Sequence, residues 1–185
     1  MKIRASLMAF GVAASLGSAQ AFAASTVVKF ERGVGVDPVA GVSGTATITN
    51  GVAVFPGAVR NDVRGVAPGG RPWTIARLTA SVKDDGSISA KGEGLLLAGG
   101  DGIGTTGTAR FVAASLFCGA PPNAVEFDSQ PFPIDASGNF TIRGTLSGIP
   151  SSCASPVLLI RNATSNGNPG PLSAWFAAGM PGDSD

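Results

Sequence analysis

Among its 185 residues the chain has no histidine and no tyrosine. The first absence excludes Ser-His-Asp and Cys-His nucleophilic systems, His-ligated zinc or copper sites, and imidazole acid–base chemistry. Any catalysis would have to run on carboxylates, lysine, serine or backbone groups. Charge is scarce as well, with thirteen basic and twelve acidic residues making up 14% of the chain. Neither sign clusters along the sequence, which argues against a nucleic-acid groove or an anionic-membrane patch, since both require a basic stripe. Cysteine occurs only at Cys118 and Cys153, without the close C-x-x-C spacing usual for redox and metal pairs. Helical i, i+3, i+4 patterns are rare after the first two dozen residues.

The N-terminus carries an export pattern. Lys2 and Arg4 precede an apolar, Ala-rich run from Ala5 to Leu16, and Ala19-Gln20-Ala21-Phe22-Ala23-Ala24 offers overlapping small-x-small cleavage sites. We read residues 1–24 as a signal peptide cut near Ala23 or Ala24. The run is shorter than the ~20 residues a membrane span needs, and Gly11 and Gly17 interrupt it. Cleavage leaves eleven basic against twelve acidic residues, an almost neutral chain with no later segment of spanning length. Residues 25–185 are expected to form a single β-domain with a frayed tail from Pro181, since about 160 residues suit one core better than two.

Alternation with period two recurs along this part. Val28 and Phe30 alternate with Lys29 and Glu31. Asn50-Gly51 between Thr45–Asn50 and Val52–Phe55 is a strong hairpin signal, because a type I′ turn needs positive φ at both central residues. After the turn Pro68-Gly69-Gly70-Arg71-Pro72, a long strand is expected from Trp73, with Thr74, Ala76, Leu78, Ala80 and Val82 on one face. Asp84-Asp85-Gly86 turns it back into a strand with Ile88 and Ala90 inward. Thr108–Cys118 is apolar on both faces, as in a strand covered on each side. Ala124–Asp128 reads as a half-exposed edge strand. Phe140, Ile142, Gly144 and Leu146 share a face, Pro156–Arg161 is nearly all apolar, and Leu172–Met180 closes the series with Trp175 opposite its apolar face. Nine to ten strands at spacings of roughly 8–14 residues favour an all-β, two-sheet antiparallel sandwich of immunoglobulin-like architecture, with a β-barrel as the alternative. In an exported chain the two cysteines are most simply a structural disulfide, tying two strands about 35 residues apart and worth roughly 3–4 kcal/mol.

Chemistry-bearing candidates are few. The pairs Glu93 with Asp101 and Glu126 with Asp128 are the surviving carboxylate route to glycoside hydrolysis; the plainer reading of the second pair is a charged face that keeps an edge strand soluble. The loop 98–107 holds Asp101, Thr105 and Thr106 among five glycines. It lacks the lysine of a phosphate-binding loop and the carboxylates of a calcium loop, so no cofactor and no metal is expected. A tight connection between buried strands is its simplest role, and loop amides with Asp101, Thr105 and Thr106 are the first choice for ligand contact. Trp73 and Trp175 are candidate aromatic platforms, Trp73 expected to cap one end of the core and Trp175 to be the more exposed.

The stretches Gly65-Val66-Ala67-Pro68-Gly69-Gly70-Arg71-Pro72-Trp73, Ser115-Leu116-Phe117-Cys118 and Cys153-Ala154-Ser155-Pro156-Val157-Leu158-Leu159-Ile160 resemble a pattern in uncharacterised secreted bacterial proteins, across roughly residues 60–180. The resemblance implies a bacterial origin, export and a Cys118–Cys153 pair; it brings no activity and no catalytic residue. The expectation is therefore a periplasmic or extracellular, non-catalytic structural or binding module, with envelope, matrix or polysaccharide components as the partner classes and no nucleic acid. The alternatives are a carrier of an apolar small ligand and a carboxylate-based glycan hydrolase.

Overall fold

The computed structural model describes residues 23–37, 41–43, 47–49, 52–54, 57–59, 61–148, 150, 152–164 and 172–182. The expected signal peptide up to residue 22, the Asn50-Gly51 turn and the end of the tail lie outside them. The described residues contain strands and no helix, so none is a helix long and apolar enough to cross a membrane. The first strands are β1 (Thr26–Gly35), β2 (Gly41–Ser43), β3 (Thr47–Thr49), β4 (Val52–Val54) and β5 (Gly57–Val59). The middle of the chain forms β6 (Trp73–Thr74), β7 (Arg77–Lys83), β8 (Ser87–Glu93), β9 (Leu96–Leu97) and β10 (Phe111–Cys118). The last are β11 (Val125–Asp128), β12 (Phe132–Pro133), β13 (Phe140–Thr145), β14 (Val157–Ala163) and β15 (Trp175–Pro181).

Nine of these make one antiparallel sheet in the order β11-β10-β14-β15-β1-β7-β8-β13, with β12 also paired to β10. The sheet curls. Its two margins meet where Ser147 N–H donates to the Asp128 carbonyl (2.7 Å) and Ile134 bridges Phe140. The all-β class is as expected, while the immunoglobulin-like pair of facing sheets is not confirmed: one large sheet curls round the core beside smaller sheets, and that curl fits the barrel alternative. The pairs β6–β9, β2–β5 and β3–β4 are separate two-stranded sheets, and β6 is joined to the main sheet where Trp73 N–H donates to the Val36 carbonyl (2.8 Å). The β3–β4 register, Thr49 opposite Val52, is that of the hairpin expected there.

The concave side is apolar because the strand parities agree across the ladder. Val28 faces Val82, Val82 faces Ile88, Ala90 faces Ile142, and Leu116 faces Leu158. All of these are buried in one cluster with Phe30, Leu78, Leu95 and Phe140. Glycine admits the largest of them: a Cβ on Gly92 would stand 2.1 Å from the Phe140 ring. The strand expected from Trp73 to Val82 is broken, since Trp73–Thr74 pairs with β9 and only Arg77 onward joins the main sheet; Ala76 is exposed as a result. β1 runs past its expected end at Glu31 because Arg32–Gly35 pairs with Ala177–Met180.

On the convex side the two halves differ. Thr79, Ser89, Lys91, Thr141 and Arg143 on β7, β8 and β13 face water, whereas Ala113, Ser115 and Leu159 on β10 and β14 are fully buried. Part of this cover is the segment 61–69. Trp175 N–H donates to the Ala67 carbonyl (3.0 Å) and Gly69 N–H to the Trp175 carbonyl (2.9 Å), so the segment adds itself to the end of β15. At its other end Arg64 Nη2 donates to the Ser155 carbonyl (3.0 Å). Arg64 and Ser155 both have positive φ, 52° and 47°, a conformation that costs a non-glycine residue energy unless its surroundings hold it.

Candidate functional site

Cys118 and Cys153 form a disulfide with their Cα atoms 4.8 Å apart. The bond joins the end of β10 to the segment leading into β14, and Gly119 N–H donating to the Ala154 carbonyl closes the same corner. Both sulfurs are thereby committed to structure, and the described residues hold no group of three or more acidic or Cys side chains suited to a metal ion.

Two places bring together side chains with chemical potential. The first is a polar cluster on the covered side of β10, β11 and β14. Register puts Ser115 beside both Asp128 and Leu159, and Ala113 beside Arg161. Ser115 Oγ donates to Asp128 Oδ1, and Arg161 Nη1 donates to Glu126 Oε1 and to Ser115 Oγ. Arg161 is buried and also donates to the carbonyls of Leu172 (2.8 Å) and Ser173 (2.9 Å). A buried guanidinium needs this many acceptors, because each donor left unsatisfied away from water costs about 1–3 kcal/mol. Burial pushes the Glu126 carboxyl above its ordinary range and the neighbouring Asp128 charge adds to the rise, while Arg161 opposes it. Glu126 and Asp128 thus share a face, as expected of residues two apart on a strand.

The other carboxylate pair is not built for acid–base work. Glu93 is bonded to Lys91 Nζ at 2.7 Å, which holds it below the usual range. Asp101 stands exposed on the glycine loop.

The second place is an open depression of about 410 Å³ whose lining includes Arg71, Trp73, Leu97, Thr108, Asn162 and Phe176. Its floor is an aromatic stack, Trp73 on Phe176 with ring centroids 4.1 Å apart. Gly69 lies against that stack, where a Cβ would come within 3.0 Å of both rings. One wall is the glycine loop, a run of tight turns. Thr105 Oγ1 donates to the Gly102 carbonyl and accepts from Gly107 N–H, and the loop is bonded to β9 through Leu97 N–H to Thr105 O and Gly104 N–H to Leu97 O. Gly100, Gly104 and Gly107 take positive φ there, which is why glycine recurs.

The sequence candidates divide accordingly. Trp73 is at the depression. Trp175 is a correction: it is 3% exposed, and its indole Nε1 donates to the Asn61 carbonyl (3.2 Å), so it is no platform. Strand alternation could not show this, since the segment covering it comes from a hundred residues earlier. Thr106 is buried and the Thr105 hydroxyl is used within the loop, leaving Asp101 as the loop candidate whose side chain is open to solvent. Arg71, Thr108 and Asn162 were not singled out from sequence; each lies in a different stretch, and only the fold brings them together.

These features define a curled, disulfide-bonded all-β domain with an open depression at its border. Comparison with models of protein families, with curated proteins and with solved structures finds no match.

Proposed function

We propose that the chain is an exported, non-catalytic binding module of the bacterial envelope or extracellular space, and that the depression beside the glycine loop is its contact surface. The observation that carries this reading is the depression itself, a cavity of about 410 Å³ with an aromatic floor and a charged rim, within the range of small-ligand sites. The position of Trp73 supports it, as does the rigid bonding of the loop that forms one wall. Export is supported by the signal-like N-terminus and by the disulfide, which persists in oxidising compartments.

The alternatives have less support. A carrier of an apolar ligand needs a hollow interior, and the concave side is occupied by Leu78, Val82, Leu116, Ile142, Leu158 and Ile160, all fully buried. A glycan hydrolase is favoured by the raised Glu126 carboxyl. Yet that carboxyl is tied to Arg161 and its neighbour Asp128 to Ser115, two residues along the same strand, whereas glycosidases hold their two acids across the bond to be broken, about 5–10 Å apart.

The test is retention of purified protein on immobilised envelope, matrix and polysaccharide fractions, with reducing-sugar release measured on the same glycans. Specific retention without release is the expected result. Release of sugars that is lost in Glu126→Gln would replace this reading with the hydrolase, and no retention on any fraction would leave a structural role alone.

A further inference from the structure

We infer that the depression binds a compact organic carboxylate: an acid group held by Arg71, with a small apolar body against Trp73, Leu97 and Phe176. The inference rests on the binding-module reading and adds its ligand class. Among the residues lining the depression Arg71 is the one charged side chain, and no carboxylate is among them. Arg71 is exposed at the rim, with its guanidinium beside Gly100 and Gly102. It makes no ion pair and no side-chain hydrogen bond among the described residues. Arg64, Arg110 and Arg161, by contrast, are tied to protein acceptors. A guanidinium left free next to an apolar floor is a ready partner for a planar carboxylate, which it takes through two parallel N–H···O bonds.

A second donor points to the same chemistry. Trp73 is 8% exposed and lines the depression, and its indole N–H has no hydrogen-bond partner among the described residues. Its nitrogen is not among the buried polar atoms left without a partner, of which Arg64 Nε is the one among the described residues, so this donor is open to solvent and to a ligand, whereas the Trp175 indole is spent on the Asn61 carbonyl. The Thr108 side chain, exposed at the rim, adds a hydroxyl. The unused groups are therefore mostly donors, and the ligand must supply acceptors. A sugar ring stacked face-on is disfavoured, because the Trp73 face is already covered by Phe176. The carboxylate could belong to the C-terminal residue of a peptide or to a free carboxylic acid, and the two share this chemistry.

The test is a titration of the disulfide-bonded protein, labelled with nitrogen-15, with N-acetyl-leucine, 4-methylpentanoate and N-acetyl-leucinamide, following the two indole N–H resonances. Trp73→Phe assigns the peaks, and Trp175 is the internal reference. We expect the Trp73 resonance to move saturably with the acids, with Kd on the order of 1 mM, and not with the amide. Equal affinity for both acids would point to free acids, and binding of N-acetyl-leucine alone to a peptide terminus. Arg71→Ala should weaken binding by about tenfold without altering thermal unfolding, whereas Arg77→Ala, which does not line the depression, should bind as wild type. Acid and amide acting alike, no saturable shift with either acid, or undiminished binding by Arg71→Ala would overturn the inference. If the acids fail while the protein is retained by an envelope or polysaccharide fraction, the binding-module reading stands and the ligand class assigned here falls.

Discussion

The strands β7, β8 and β13 and the strands β10 and β14 belong to one sheet and share one core, yet they meet their surroundings in opposite ways. On the first three, side chains alternate strictly: Leu78, Ala80, Val82, Ile88, Ala90, Phe140 and Ile142 turn in, and Thr79, Ser89, Lys91, Thr141 and Arg143 turn out to water. On the other two, seven consecutive residues from Val112 to Cys118 are buried, and so are Leu158 to Arg161. Alternation thus records water on one face, and a continuous apolar run records cover on both. Polar groups in the covered half are held by partners, as Ser115 and Arg161 are. Carboxylates follow the same division. Asp85, Glu93 and Asp135, in the wet half, are held below their ordinary range, chiefly by hydrogen bonds from Ser87, Lys91 and Asn139 respectively, whereas Glu126, at the border of the covered half, is pushed up by burial.

The largest expected effect comes from cutting the covalent tie that only the covered half possesses. Cys118 and Cys153 are 35 residues apart in sequence, and the chain-entropy estimate for a loop of that size is about 4 kcal/mol. Replacing both by Ala should lower the urea-unfolding free energy by about that much. A loss under about 1 kcal/mol would mean that burial alone holds β10 to β14. Next is a matched pair on the convex side. Leu159→Ala should cost about 3 kcal/mol, because it opens a cavity in a closed space, while Thr79→Ala should stay within about 0.5 kcal/mol. Similar costs at the two positions would break the comparison, for then the convex side of β14 would be as open as that of β7.

How much of this could be read from sequence follows from the same distinction. Period-two patterns show which side chains face the core, so the β7–β8 hairpin was legible down to its turn, where Asp85 Oδ1 accepts from Ser87 N–H. The double-sided burial of β10 and the cysteine pairing were legible too. Alternation does not say which strand lies beside which. The placing of β1 between β15 and β7, and the curl of the sheet, depend on pairings across up to about 150 residues of chain. For that reason the covering of Trp175 by residues 61–69 and the grouping of Arg71 with Trp73, Thr108 and Asn162 had no local signal.

A smaller effect tests the inner face of the wet half. Gly92 lies opposite Phe140 in the β8–β13 ladder, and the ring fills the space a side chain would take. Gly92→Ala should therefore destabilise by about 2 kcal/mol through overpacking, despite alanine's lower backbone entropy cost, and Phe140→Leu in the same chain should recover part of the loss. If Gly92→Ala alone were stabilising, the close contact between the strands would be loose and the inward side of this half less tightly packed than that of β10 and β14.

The smallest effect is a pH dependence at the border between the halves, where Asp128 and Arg161 face Glu126. The folded state raises the Glu126 carboxyl above its unfolded value, so it binds that proton more tightly than the unfolded chain does. The resulting contribution is fully present below the unfolded carboxylate value of about 4.3 and is lost as pH rises through the folded value. Asp85, Glu93 and Asp135 act in the opposite sense, since their lowered values give stability above the unfolded pKa that is lost as pH falls. Glu126→Gln removes only the first contribution and keeps an oxygen for Arg161. Unfolding by urea at pH 4, 5.5 and 7 should show the wild type losing ground to Glu126→Gln as pH rises, by less than about 1 kcal/mol in total because Glu126 is partly screened by water. A gap that moves the other way would mean that the Arg161 charge outweighs burial and the Asp128 charge together, and the border would then behave like the wet half of the sheet.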